Sequence, residues 1–249
     1  MLRQASAMVL ARDSDQGIEV CMLRRVSSSR FAAGAYVFPG GVMEEHDSDP
    51  LWPELFVPAD ASTNKAYQYK IAAIRETFEE AGVLVSGRDH DISISSDDRD
   101  NLNNEKVTLQ NIFRQHQLQL NLNEIIFYDH WITPEGAPIR FDTRFYLSIA
   151  PSNQHLAHDE TETDSSCWAT PATLIAQYEK KEIRLMPVTH VQLQRLAAFE
   201  SVESLIITAK LKKTITAVLP VLHYNEEGKP SSVTIDLEEG VMEYPVFRL

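Results

Sequence analysis

Cysteine is scarce in this chain. Cys21 and Cys167 are the only two in 249 residues, which excludes a disulfide framework and leaves each as a small, buried thiol. Basic residues are also outnumbered: 23 Lys and Arg stand against 36 Asp and Glu, a net charge of −13. A nucleic-acid backbone or an anionic membrane is therefore not expected as a standing partner. Any phosphate-bearing ligand needs a local metal or basic cluster to overcome that field. No apolar run approaches the ~20 residues of a membrane span. The N-terminus enters a strand-like stretch without a charged and apolar leader, and Phe247-Arg248-Leu249 is not the Ser-Lys-Leu peroxisomal address. A cytoplasmic location is the expectation. There is no paired His or Cys set for zinc, and no internal repeat, low-complexity tract or linker. What remains, 43% hydrophobic and 24% charged, suits a soluble globular chain, expected as one domain over 1–249 with insertions near 42–66 and 86–120.

The most informative stretch runs from Ile71 to Val83. On a helix, residues three and four apart share a face, so Glu76, Glu79 and Glu80 converge. Ile71, Ile74, Phe78 and Ala81 repeat at the same spacing toward a core, and Gly82 sits where a left-handed cap belongs. Composition alone favours an acidic face in solvent. Upstream, however, Phe38-Pro39-Gly40-Gly41 reads as a turn whose glycines let backbone approach a ligand, with the Gly41 carbonyl available as a further ligand. Carboxylates and a carbonyl are the oxygen donors that a hard cation such as Mg²⁺ takes, usually shared with substrate phosphates. The expected metal set is Glu76, Glu79, Glu80 and Gly41.

Pro39-Gly40-Gly41 followed by Arg75-Glu76-Thr77-Phe78-Glu79-Glu80-Ala81-Gly82-Val83 resembles the Nudix box. The match lies at Arg75, Glu76, Glu79, Glu80, Gly82 and Val83, with Thr77 where an apolar residue is usual. Counting from Gly41, the first Glu of the box falls on Asp47, a shorter acid. Between Asp47 and Arg75 stand 27 residues where the box has seven, an insertion of 20. A box split at this point resembles the subgroup related to the peroxisomal and mitochondrial coenzyme A diphosphatases of animals. Arg30, Gly34 and Phe38 to Gly41 also match the spacing of the signature that precedes the box in coenzyme A-directed members. Its upstream Arg-Ser pair is only approximated by Arg24-Arg25-Val26-Ser27. The resemblance implies a Nudix-type α/β/α sandwich with a mixed sheet, extended here by helical insertions. It also implies that Arg75 orients a carboxylate.

Along the chain, Ala5 to Ala11 and Ile18 to Arg25 read as strands joined by a turn at Asp13 to Gly17. Val26 to Gly34 is a loop, and Arg24, Arg25 and Arg30 form a basic cluster beside the glycine turn, placed to clamp an anionic leaving group. Val42 to Ala66 reads as an irregular loop with one short turn, emerging beside the metal as a lid or flap. The acidic helix is expected to start near Asn64. Ser86 to Asn104 is polar, and Lys106 to Leu118 has helical spacing, serving as a cap or a homodimer contact. Ile125 to Ile132 and Ile139 to Ala150 read as strands, the first ending in a structural His130. Arg140 to Phe145 resembles a stretch typical of the same subgroup. In the resemblance, an acid just before the strand carrying Cys167 and Trp168 reaches back to the metal. Glu162 occupies that place, with Glu160 as the alternative. Helices are expected over Pro171 to Lys180, Pro187 to Phe199 and Val202 to Lys212, then two strand-like pieces around the Glu226 to Lys229 turn.

The expected chemistry is Mg²⁺- or Mn²⁺-dependent hydrolysis of a diphosphate joining a nucleoside to another group. Glu76 and Glu80 are the chief ligands. Glu79 binds a second ion or positions water, and Glu162 is the remote base. Arg24, Arg25, Arg30, Phe38 and Gly40 contact substrate. Coenzyme A or acyl-coenzyme A is the first choice of substrate. The alternatives are a nucleoside diphosphate sugar or ADP-ribose, and a non-catalytic nucleotide-binding module on the same scaffold.

Overall fold

The computed structural model describes residues 1–57, 66–86 and 94–246. The expected helix start at Asn64, the terminal Phe247-Arg248-Leu249 and parts of both insertions lie outside the described residues.

The fold is α/β. Strand β1 (Leu2–Ser14) pairs antiparallel with β2 (Gly17–Arg25) and parallel with β6 (Arg140–Ile149). From Ala5 to Ala11, β1 is buried without interruption, so it reads as a near-continuous apolar run instead of an alternating one. Met8 and Leu10 feed one core, whereas Ala7, Val9 and Ala11 feed the other. Strands β3 (Ala35–Val37), β4 (Gly40–Val42), β5 (Ile126–Ile132), β7 (Thr163–Ala169) and β8 (Arg184–Leu185) complete an eight-stranded mixed sheet of order β5-β6-β1-β2-β3-β8. In it β4 pairs with β1, and β7 with β2.

One face is covered by helix α1 (Tyr67–Ala81), whose Ile71, Ile74 and Phe78 pack on Met8, Leu10 and Leu23. Gly82 closes it with φ +71°, a backbone position that favours glycine. Helices α2 (Ser96–Asn103) and α3 (Leu109–Gln115) extend this layer through Leu102, Leu109, Ile112 and Phe113, with Trp52 and Phe56 of the first insertion between them and α1. The opposite face carries α4 (Pro171–Glu179), α5 (Pro187–Leu196) and α6 (Val202–Leu211). A three-stranded antiparallel sheet, β9 (Val221–Tyr224), β10 (Pro230–Leu237) and β11 (Gly240–Pro245), packs there through Leu222, Val233, Ile235 and Tyr244.

Several expectations are corrected. Ser96 to Asn103 is helical despite its polarity, because Ser95 and Asp98 form a reciprocal capping box. The helix expected over Lys106 to Leu118 contracts to α3, starting at a Thr108 cap. The first insertion holds two 3-10 turns, Glu45–Ser48 and Trp52–Leu55. The tail has three strands instead of two. Gly40 and Gly41 lie in a strand, not a bend, opposite Ala7 and Ser6 of β1. Their lack of side chains matters for space: a Cβ on Gly40 would stand 2.5 Å from the Ser6 carbonyl oxygen.

Candidate active site

The acidic helix and the glycine strand meet directly. Gly40 N–H donates to Glu80 Oε2 at 2.9 Å. The carboxylate of Glu76 fills the space in front of Gly41, where a Cβ would come within 2.5 Å of Oε1. Arg75, only 4% exposed, holds the rest together. It donates to Asp47 from Nε at 2.9 Å and Nη2 at 3.1 Å, to Glu79 from Nη1 at 2.6 Å and to the Val42 carbonyl at 2.9 Å. Its Nη1 is also 3.0 Å from Glu76. Asp47 thus stands at the carboxylate position facing Arg75, although 27 residues separate the two. It has a local partner as well: as the acid of a one-turn capping box it accepts from Glu44 N–H at 2.8 Å.

Burial sets the electrostatics. Desolvation pushes Glu76 well above the carboxylate range; Arg75 opposes this, while Glu80 and Glu79 add to it. Glu80 is pushed up to about 8, chiefly by burial, against the pull of Gly40 N–H and Arg25. Glu79 rises to about 7 by burial, against Arg75. Burial works to lower Arg75, but Glu76, Asp47 and Glu79 more than offset it and hold it above the ordinary arginine value. The carboxylates are therefore short of positive charge.

The cavity before them has a volume of about 590 Å³. Its lining includes Glu76, Glu79, Glu80, Asp159 and Glu162, together with insertion residues both polar (Glu45, His46, Glu105, Thr108 and Gln110) and apolar (Trp52, Leu102, Val107 and Leu109). Arg25 lies between two of the lining acids, with Nη2 3.4 Å from Glu162 and Nη1 3.8 Å from Glu80. Glu162 therefore shares an arginine with the acidic helix. Glu160 is exposed, has φ +64° and is not among the residues lining the cavity. Sequence reasoning missed Asp159. It accepts hydrogen bonds from Thr161 and Thr163 hydroxyls and from Glu162 and Thr163 N–H. Burial alone would raise it, yet these bonds hold it below its usual value. The signal was there, an Asp before two Thr, but it lay inside an acidic run.

Three residues expected at the substrate are placed elsewhere. Arg24 bonds Asp164 of the neighbouring strand at 2.6 Å, and the pairing of β2 with β7 shifts register between Arg24 and Arg25. Arg30 is exposed on the loop and, among the described residues, does not line the cavity. Phe38 is 4% exposed, in the core on the far side of the sheet from α1. Only Arg25 of the basic cluster reaches the acidic helix.

Among the described residues, no group of three His, Cys, Asp or Glu side chains is arranged to hold a metal ion by itself. The donors nevertheless suit a hard divalent ion: two buried carboxylates one turn apart, both charge-deficient, beside a glycine backbone and an open cavity. Mg²⁺ takes one or two carboxylates and completes its shell with water and substrate phosphates.

An acidic helix closed on a glycine strand, within a mixed sheet covered on both faces, defines a protein of the Nudix fold. The NUDIX hydrolase of Alicyclobacillus acidocaldarius superposes on 87% of this chain and 97% of its own with a TM-score of 0.74 at 24% identity. The family model described as NUDT19 Nudix domain matches residues 59–196, more than half of the 249 residues, and the chain belongs to that family. Putative nudix hydrolase 7 of Caenorhabditis elegans is 27% identical over 195 residues, 78% of this chain and 60% of that protein. Acyl-coenzyme A diphosphatase NUDT19 of Xenopus laevis is 23% identical over 265 residues, 84% of this chain and 68% of that protein. The chain thus spans about 60% to 68% of the length of these curated relatives.

Proposed function

We propose that this protein is a divalent-metal-dependent pyrophosphohydrolase acting on coenzyme A or an acyl-coenzyme A. The observation that carries the reading is the pairing, in one cavity, of buried charge-deficient carboxylates with a lining from the insertions that mixes polar Glu45, His46, Glu105 and Gln110 with apolar Trp52 and Val107. A diphosphate carrying a long arm of mixed polarity matches that lining. The acyl-coenzyme A diphosphatase activity named for the Xenopus laevis relative points the same way.

Glu76 and Glu80 would hold the ion, with the Gly41 backbone as neighbour. Mg²⁺ or Mn²⁺ there would supply charge neutralisation and polarisation of phosphoryl oxygens. Arg75 keeps Glu76 and Glu79 in one orientation and is itself locked by Asp47, as second-layer partners of metal ligands generally are. Glu79 orients the attacking water. Glu162 accepts its proton, a role generally worth ~10²–10⁴-fold. Arg25, paired with Glu162 and Glu80, is the cation available to an incoming phosphate.

Purified protein with Mg²⁺ or Mn²⁺ is to be offered coenzyme A, short- and long-chain acyl-coenzyme A, nucleoside diphosphate sugars and ADP-ribose, with products read by mass spectrometry. Release of phosphopantetheine or its acyl form is expected. Glu80→Gln should cost on the order of 10²–10³-fold in kcat or more, and chelation should abolish turnover. Turnover confined to sugar nucleotides overturns the substrate, and inertness toward every diphosphate leaves a binding module.

A further inference from the structure

The C-terminal end of α1 is held by two segments distant in sequence. The backbone carbonyl of Glu79 accepts hydrogen bonds from Arg99 Nε at 3.0 Å, Arg99 Nη2 at 2.8 Å and Asn103 Nδ2 at 3.3 Å, all from α2. One residue past that carbonyl's turn, Ala157 N–H donates to the Ala81 carbonyl at 2.9 Å. The Gln154 side chain grips Leu84 from both sides, accepting from its N–H at 2.7 Å and donating to its carbonyl at 2.9 Å. Arg99 and Ala157 also face each other across Gly82. A Cβ there would lie 3.2 Å from Arg99 Nη1 and 3.4 Å from the Ala157 carbonyl oxygen.

The last carbonyls of a helix lack intrahelical partners and attract cations. A lone cap would satisfy that need. Here the capped carbonyl belongs to Glu79, whose side chain faces the cavity. The second clamp comes from the loop that ends at Glu162. The same loop is tied again at its far end: Asp159 binds the Glu162 and Thr163 N–H groups at 2.9 and 2.8 Å, and the Glu162 carbonyl accepts from Val26 N–H at 2.9 Å. One loop is thus hydrogen-bonded to the end of α1 and also carries Glu162 at the cavity.

We propose that this junction is a joint through which inserted helix α2 and the 151–162 loop set the placement of Glu162 against the carboxylates of α1, with Arg99 and Gln154 as positioning residues for the hydrolysis. The inference rests on the metal-dependent hydrolase reading above. Neither residue touches substrate; each acts through backbone. Arg99 supplies a planar fork to one carbonyl, a geometry that a lysine ammonium does not reproduce.

The test compares Arg99→Ala, Arg99→Lys and Gln154→Ala with Ile235→Val, a core change in the remote C-terminal sheet that lowers Tm without touching the site. Arg99→Ala should lower kcat by ~10–100-fold, the scale of a displacement of about 1 Å at a catalytic group, with KM changed less than about twofold. Arg99→Lys should fall between it and the parent, and Ile235→Val should keep the parent kcat. In a cycle with Glu162→Gln, the losses should be less than additive, because part of what Arg99→Ala removes is the placement of Glu162. Additive losses, or a kcat loss that Ile235→Val reproduces at equal Tm, overturn the joint. Mn²⁺ affinity by electron paramagnetic resonance reads the joint without turnover. Arg99→Lys keeps the charge and should bind roughly tenfold more weakly; unchanged affinity overturns the joint. A parent inert toward all diphosphates refutes the hydrolase reading instead, and the Mn²⁺ comparison then decides the joint by itself.

Discussion

Asp47 shows how much a single position carries. Counting from Gly41 reaches it in the sequence, but only the structure shows its carboxylate on Arg75, 1% exposed and doubly bonded. A buried arginine among Glu44, Asp47, Glu76 and Glu79 would be expected to stabilise them all, yet burial still leaves Glu79 at about 7, and Glu80, which faces Arg25, at about 8. The sign follows directly. Both folded values lie above the unfolded carboxylate value, so the protonated forms favour the fold. Their stabilisation is complete below the unfolded pKa and is lost as pH rises through 7 to 8. Metal-free protein should therefore melt at a lower temperature at pH 8.5 than at pH 6.5, and saturating Mg²⁺ should restore Tm at the higher pH. Calorimetry with and without chelator checks this; a metal-free Tm that rises over that interval refutes it.

At the scale of elements, α1 and β4 function as one unit. The periodicity of Ile71, Ile74 and Phe78 marked the helix and its buried stripe, because three- and four-residue spacing is a local property of the chain. Strand β4 was not legible. Three residues with two glycines read as a bend, and only pairing with β1 makes them a strand. Gly41→Ala puts a methyl group 2.5 Å from Glu76 Oε1. The carboxylate must move or the strand must shift, an overpacking cost of ~1–3 kcal/mol. Metal affinity should fall with it, measurable by isothermal titration, and affinity equal to the parent would show that Glu76 is free of the strand. Helix α2 escaped sequence reading for a different reason. Its eight residues, Ser96–Asn103, bury an apolar side chain only at Leu102, so periodicity had nothing to register and the Ser95–Asp98 capping box was the sole sign.

For the whole molecule, the −13 charge and the acid-lined cavity oppose any anionic substrate. Repulsion acts over a Debye length, which shrinks from ~30 Å at 0.01 M to ~8 Å at 0.15 M ionic strength. At fixed free Mg²⁺, kcat/KM for a diphosphate substrate should rise several-fold across that range while kcat stays constant. Stopped-flow or initial-rate measurements against NaCl read this, and a falling kcat/KM would instead show that local cations such as Arg25 dominate the approach. The described residues include no helix long and apolar enough to cross a membrane.

The amino-acid sequence by itself determined what depends on neighbours along the chain. That covers the acidic face of α1, its glycine cap, the strand character of β1 and β2, and the net negative charge. Tertiary structure alone decided which arginine faces the acids, because Arg24 and Arg25 are neighbours in one strand that take different partners. It also decided that Phe38 belongs to the core, that Glu162 and not Glu160 borders the cavity, and that α2 and the 151–162 loop meet on the Glu79 to Leu84 segment. Those outcomes depend on contacts between residues tens of positions apart, and composition and spacing carry no record of such contacts.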